Sequence, residues 1–326
     1  MMRRILVFVL KLCSFLAALV IAAWFVGRIF SDRYGWSQWL LWIPTPVALL
    51  MAVIGTLAAF RSTAKPPRRR NRIIRWGLIA ISIFIDFATI EHRLLRPAPS
   101  IARSANRIHL VHWNITLQPY THVEQLVSEL VSLDGDITVT TNPGFAPWEK
   151  PVVDALGNGI APVSVGPLAV ISRFPIRTIR PLVAANQMFV VLVEIDATAR
   201  IGRPLIVYMV DMPSNPKIPR YELARQVRRM LDDPANFGGA LPPAPDIVIG
   251  DFNITRGSAS LRMMFPTLRD AYDEAGHGYG ASFHRLFPLY HIDHVLMGPD
   301  MRALRYDLVD PHLTRHDAQI AEVGRR

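Results

Sequence analysis

Three apolar runs in the first 96 residues limit this chain more than any other feature. Ile5 to Phe25 is interrupted only by Lys11, Cys13 and Ser14; Trp39 to Phe60 carries Pro44 and Pro46; Trp76 to Ile90 carries Asp86. Each approaches the roughly 20 residues a helix needs to cross about 30 Å of hydrocarbon. Transmembrane helices are therefore predicted near residues 5–27, 39–60 and 73–91. A cleaved secretory signal has a shorter apolar core, so the first run reads as an uncleaved anchor.

Lys and Arg placement predicts the orientation. The segment between the second and third runs reads "RSTAKPPRRRNRIIR", whereas only Arg28 and Arg33 separate the first from the second. Basic residues stay in the cytoplasm, so the N-terminus and the "RRR" segment are expected there. Three spans then place everything beyond residue 96 outside, making a multi-pass inner-membrane protein with a periplasmic or extracellular C-terminal domain. Net charge divides in the same way: +11 for residues 1–96 and −1 for residues 97–326. A near-neutral outer domain gives no electrostatic ground for nucleic-acid binding, which needs a basic surface.

Beyond a Pro/Ser/Ala-rich linker, 97–107, short strand-like and helix-like segments alternate through 108–326. "IHLVHWNI", "DITVTT", "PLAVISR", "MFVVLVEID", "PLIVYMV", "DIVIG", "HIDHVLM", "ALRYDLV" and "AQIAEV" read as strands. "THVEQLVSELVSL", opened by a Thr121-x-x-Glu124 capping box, and "RYELARQVRRML" read as amphipathic helices. This order predicts an α/β protein: a four-layer sandwich of two mostly antiparallel sheets face to face, with helices outside.

Polar residues cluster at the ends of these strands: Asn114, Asn142, Asp211, Asp251, Asn253, Asp293 and His316. Singly, Asp and Asn in such places make Asx turns. Together, carboxylates and amides can hold a hard divalent cation, orient a phosphate and position water. The histidines lack the H-x-x-x-H or H-E-x-x-H spacing of zinc sites, and His294, next to Asp293 on a strand, is expected to face the other way. Neither a G-x-S-x-G elbow nor a Gly-rich nucleotide loop occurs.

In chain order, "WNI", "GDITVTTNP", "LAVISRFPI", "IVYMVDMPS", "IVIGDFNIT", "HIDHVLM" and "TRHDAQIAEV" resemble the successive motifs of the endonuclease/exonuclease/phosphatase superfamily, over nearly all of 107–323. The resemblance implies a phosphoric ester hydrolase using Mg²⁺ or Mn²⁺. Asp251 would orient or deprotonate water and Asn253 hold a phosphate oxygen; Asn114 would sit beside metal and phosphate; His316 would face the phosphate, aligned by Asp293. Asn114, Asn142 and Asp251 would form whatever metal site remains, and Asp211 and Arg315, which do not match the family, are further candidates for phosphate contact.

Three positions depart from the pattern. Asn142 stands where the family has its metal-binding Glu, Asp211 where it has a phosphate-contacting His, and Arg315 where it has the Asp of a terminal S-D-H. Exchanging two carboxylates for an amide and a guanidinium moves the site by roughly three charge units toward positive and weakens a standard Mg²⁺ site. Two readings follow: a membrane-anchored hydrolase of a small phosphoester or lipid headgroup, or a family member that binds a phosphorylated ligand without metal catalysis, with Arg315 as a bidentate phosphate ligand.

Overall fold

The computed structural model describes residues 2–61, 65–99, 106–116, 123–142, 148–157, 160 and 162–326. The chain divides into two compact units, Met1–Leu95 with Ile218–Tyr221, and Arg96–Lys217 with Glu222–Arg326.

The first unit holds α1 (Met2–Phe30), α2 (Gly35–Leu41), α3 (Thr45–Phe60) and α4 (Pro66–Ile85), the last continued by a π-helical segment, Asp86–Glu91. Two stretches, Arg4–Phe30 and Pro66–Glu91, are by themselves long and apolar enough to cross a membrane. The expected span over 39–60 is not one helix. It breaks between Leu41 and Thr45, and the two pieces are bent by 66°. Pro44, in extended backbone at the N-cap of α3, lacks the N–H that would continue the preceding helix and disfavours helical backbone at Ile43. Two spans therefore replace the three expected, or three if the bent pair crosses as one. The "PPRRRNR" signal also moves: it forms the first turns of α4 rather than a loop.

Small residues let these helices approach closely. Ala48 and Ala52 of α3 are fully buried, and Gly55 lies so near the Trp76 ring that a Cβ would come within 2.5 Å of it.

The second unit has two six-stranded mixed sheets with helices, the α/β sandwich expected. One sheet runs β11 (Met301–Val309), β12 (Ala318–Arg325), β1 (Ile108–Asn114), β2 (Ile137–Thr141), β4 (Leu168–Ser172), β3 (Val163–Val165). The other runs β5 (Ile176–Ala185), β6 (Met188–Ile195), β7 (Leu205–Asp211), β8 (Ile247–Asp251), β10 (Asp293–Met297), β9 (Arg269–Asp270). Each contains a single parallel pair, β1 with β2 and β7 with β8. Parallel neighbours need a crossover, supplied by α5 (Val123–Ser132) and α7 (Arg220–Asp232). The capping-box residue Thr121 lies outside the described residues. Arg96 donates from Nη1 to the carbonyls of Asp273, Glu274 and Gly276, fixing where this unit begins.

Period-two alternation explains the layers. Ile108 and Leu110, Ile137 and Val139, Leu168 and Val170 from one sheet meet Val207 and Met209, Ile247 and Ile249, Val295 and Met297 from the other in one buried cluster. On the outer face of the first sheet, Val111, Trp113, Ala169 and Ile171 pack with Val127 and Leu130 of α5 and Val152 of α6 (Glu149–Leu156).

Gly250 of β8 has no room for a side chain against the β7 backbone. Its φ is +153°, and a Cβ there would lie 1.9 Å from the carbonyl oxygen of Val210. Gly250→Ala should therefore destabilise this unit by about 2 kcal/mol or more, read as a lower thermal midpoint of the full chain in detergent. An unchanged midpoint would mean that the β7–β8 spacing is not as described.

Candidate active site

The alternation that builds the inter-sheet core also builds the polar cluster. On β1 the inward series Ile108, Leu110 continues to His112 and Asn114; on β7, Val207 and Met209 lead to Asp211; on β8, Ile247 and Ile249 lead to Asp251; β10 begins on Asp293 before Val295 and Met297. Strand pairing then sets Asp211 beside Asp251 and Asp251 beside Asp293. Three buried aspartates thus share one face on three adjacent strands. Asn114 reaches them from the opposite sheet, donating from Nδ2 to Asp251 Oδ2 at 2.8 Å. Its Oδ1 accepts from the backbone N and hydroxyl of Thr116 at 3.0 and 2.5 Å, which fixes the amide's orientation.

Asp251 Oδ1 accepts from the backbone N–H of Asn253 at 2.8 Å, an Asx turn that holds Asn253 at φ 50°. Asn253 Nδ2 donates to the Met212 carbonyl at 2.8 Å, so one amide proton is committed to the neighbouring strand end. His316 donates from Nδ1 to Asp293 Oδ2 at 2.9 Å, and the Ser282 hydroxyl donates to the same oxygen at 2.6 Å. Trp113 Nε1 donates to Thr314 Oγ1 and to the His316 carbonyl at 3.0 and 3.2 Å, tying the His316 segment to β1.

The electrostatics follow from this crowding. Burial, then the Asp251 and Asp293 charges, push the Asp211 carboxyl up to about 8. Burial and Asp293 push Asp251 up to about 7. Burial would do the same to Asp293, but the charge and hydrogen bond of His316 outweigh it and hold Asp293 at about 2. Burial opposes a charged His316; the field and hydrogen bond of Asp293, helped by Asp251, overcome it and raise His316 to about 9. At neutral pH the site holds an imidazolium–carboxylate pair beside two carboxyls that compete for one proton.

The remaining expected residues are placed differently. Asn142 follows β2 directly, half-buried at φ 52°, with its N–H bonded to the Pro167 carbonyl. It offers only a neutral side-chain oxygen. Arg315 is exposed while His316 beside it is buried. Three contributors escaped the motif comparison: Ser282, Thr116 and His112. His112 lies between Gln319 and Thr141, 4.0 Å from Asp293 Oδ1, and burial lowers it to about 4, so it is neutral. His294 does face the other way. Its Nδ1 lies 2.9 Å from Asp270 Oδ2 and its Nε2 2.8 Å from the Ile254 carbonyl, bracing the segment after Asn253 from behind.

Groups able to hold a metal are present: Asp251, Asp293 and His316 offer ligand atoms all within 4.8 Å of one another. The charged His316 is a poor ligand, and Asp293 is committed to it. The raised Asp211 and Asp251 are better suited, since a divalent cation relieves the repulsion between adjacent carboxylates. Such binding must displace a proton from the pair, so it strengthens as pH rises through about 7 to 8.

The chain belongs to the Endonuclease/Exonuclease/phosphatase family, whose profile matches residues 104–316, more than half of it. Among solved structures it resembles the endonuclease/exonuclease/phosphatase from Beutenbergia cavernae (15% identity, 68% of this chain and 72% of that one, TM-score 0.50). It also resembles truncated Caenorhabditis elegans TDP2 (15%, 67% and 97%, 0.51) and a humanized D. rerio TDP2 (12%, 68% and 100%, 0.52). At these identities the likeness concerns the fold. A comparison with curated proteins finds no match.

The shifted groups predict a pH profile for stability. A carboxyl raised in the fold from 3.8 stabilises fully below that value and loses its contribution as pH rises through about 7 to 8; His316, raised from 6.5, loses its contribution through about 9. Asp293, lowered to about 2, loses its contribution only in stronger acid. In chelator, the thermal midpoint should be higher at about pH 5.5 than at about pH 9, and Asp211→Asn should narrow the gap. An equal gap in the variant would contradict the carboxylate pairing.

Proposed function

We propose that this protein is a membrane-anchored phosphoesterase whose site hydrolyses a phosphomonoester or phosphodiester with Mg²⁺ or Mn²⁺. The observation that carries the reading is the meeting of Asn114, Asp251, Asp293 and His316, from four separate segments and both sheets, in one hydrogen-bonded cluster. Asp251 and Asp211 are the groups suited to a divalent ion, with Asn142 as a neutral oxygen donor, whereas the Asn114 oxygen expected there is taken by Thr116 and its amide N–H holds Asp251; a bound ion would supply Lewis-acid polarisation of the phosphate. Water attacks phosphorus, a new P–O bond forms, and the ester P–O bond breaks; the departing oxygen takes a proton from solvent and leaves as an alcohol. Asp251, held by Asn114 and by the Asn253 N–H, accepts the water proton at a carboxylate oxygen. The His316 imidazolium, fixed through Nδ1 by Asp293, presents Nε2–H to a phosphate oxygen and offsets the charge gathering there. Asp211, protonated when no ion is bound, donates a hydrogen bond to phosphate, as a neutral acid kept so by its surroundings can.

In detergent, the full chain with Mg²⁺ or Mn²⁺ should hydrolyse bis(nitrophenyl) phosphate, and Asp251→Asn and His316→Ala should each lose about 10²-fold or more. If wild type and variants are equally inert across metals and esters, the hydrolase reading fails. The alternative then gains ground, favoured by neutral Asn142 and exposed Arg315: binding of a phosphorylated ligand that weakens in Arg315→Ala.

The basic N-terminal side argues for a cytoplasmic N-terminus and an outward-facing domain in the inner membrane. That orientation requires the α2–α3 pair to cross, since two spans would return the domain to the cytoplasm. A C-terminal alkaline phosphatase fusion should be active and a C-terminal green fluorescent protein fusion dark. The opposite pattern would give two spans and a cytoplasmic domain.

A further inference from the structure

Few large apolar side chains are exposed among the described residues of the second unit: Leu241, Tyr279, Leu286, Phe287 and Val309. Three of these belong to one patch. Leu286 and Phe287 are 72% and 71% exposed, and the Tyr279 hydroxyl donates to the Pro288 carbonyl at 2.5 Å. Such a pair is unusual on a soluble face when it is held rigidly. Here the Phe287 N–H bonds the His284 carbonyl at 2.7 Å, the Leu289 N–H bonds the Phe283 carbonyl at 2.8 Å, and Arg285 Nε donates to the Thr314 carbonyl at 3.0 Å. The loop keeps its apolar tip in water although its backbone is well bonded.

Its stem is the wall of the site. Phe283 bridges to His316 across the backbone, with rings 4.8 Å apart; Ser282, one residue earlier, bonds Asp293. The Arg285 N–H bonds the Arg315 carbonyl at 2.7 Å, which puts the exposed Arg315 at the base of the same loop. An exposed apolar tip on a loop whose base carries an exposed arginine is the arrangement that enters lipid tails while meeting anionic headgroups.

We propose that the loop His284–Leu289 is a bilayer-docking surface that sets the His316 site at the lipid–water interface, so that the ester it takes is carried by a lipid. The substrate half rests on the phosphoesterase reading above; the docking half does not. A protein partner is the weaker occupant, because two side chains and a tyrosine fall well short of the roughly 800 Å² that each side of a stable protein interface buries. The bilayer is also the surface closest at hand, since the same chain carries two helices apolar enough to cross one, which raises its local concentration at the loop.

The test uses the full chain in phosphatidylethanolamine and phosphatidylglycerol vesicles. Cys13 is the single cysteine, so Cys13→Ser allows one spin label at Phe287→Cys or, as a control, at Leu241→Cys. The Phe287 label should collide with dissolved oxygen and be shielded from a water-soluble nickel chelate, whereas the Leu241 label should be open to nickel. A Phe287 label as open to nickel as the control would overturn the docking. In a second arm, Leu286→Ser with Phe287→Ser should lower, by about tenfold, the ratio of hydrolysis of a hexadecyl nitrophenyl phosphodiester in vesicles to that of bis(nitrophenyl) phosphate in water. An unchanged ratio would overturn the lipid-borne substrate. If wild type hydrolyses neither ester, the phosphoesterase reading fails while the label depths still decide the docking.

Discussion

Three carboxylates side by side on one face of a sheet repel one another, and the site is organised around that repulsion. Asp211, Asp251 and Asp293 are forced together by the register of β7, β8 and β10, which is the register that aligns the apolar core beneath them. A slip of one residue in either pairing would move both core and carboxylates to the wrong face. Stability and chemistry therefore share one geometric requirement, and at Gly250 a side chain would collide with the β7 backbone.

The repulsion is resolved unevenly. Asp293 takes the His316 charge and stays ionised; Asp251 is bracketed by an amide from the other sheet and a backbone N–H; Asp211 is left with the weakest support and holds its proton longest. This gradient assigns roles that identical residue types could not otherwise have. With Asn142 neutral and Arg315 exposed, the Asp211–Asp251 pair is the place where a cation would matter most.

Much of this was legible along the chain because it depends on short-range pattern. "IVIGDFNIT" announces a buried strand ending on a carboxylate, and the order of strand-end motifs carries the fold. β5 was not legible: Arg177, Arg180 and Pro181 mask its pattern, and it is an edge strand with two register shifts. Ser282 could not be read either, since a serine in "GASFHRL" carries no signal until the fold brings it to Asp293. The raised Asp211 and Asp251 depend on burial and neighbours distant in sequence. The second apolar run shows the reverse failure: its hydropathy suited a span, while Pro44, visible from the start, ends one helix and begins another.

Where a cation lies in the site tests the central claim most directly. Anomalous diffraction from crystals soaked in Mn²⁺ at about pH 8.5, above the range in which Asp211 and Asp251 titrate, would locate it. A peak liganded by both Asp211 and Asp251, lost in Asp251→Asn, is the predicted result. A peak held by other residues, or none between these carboxylates, would contradict the account.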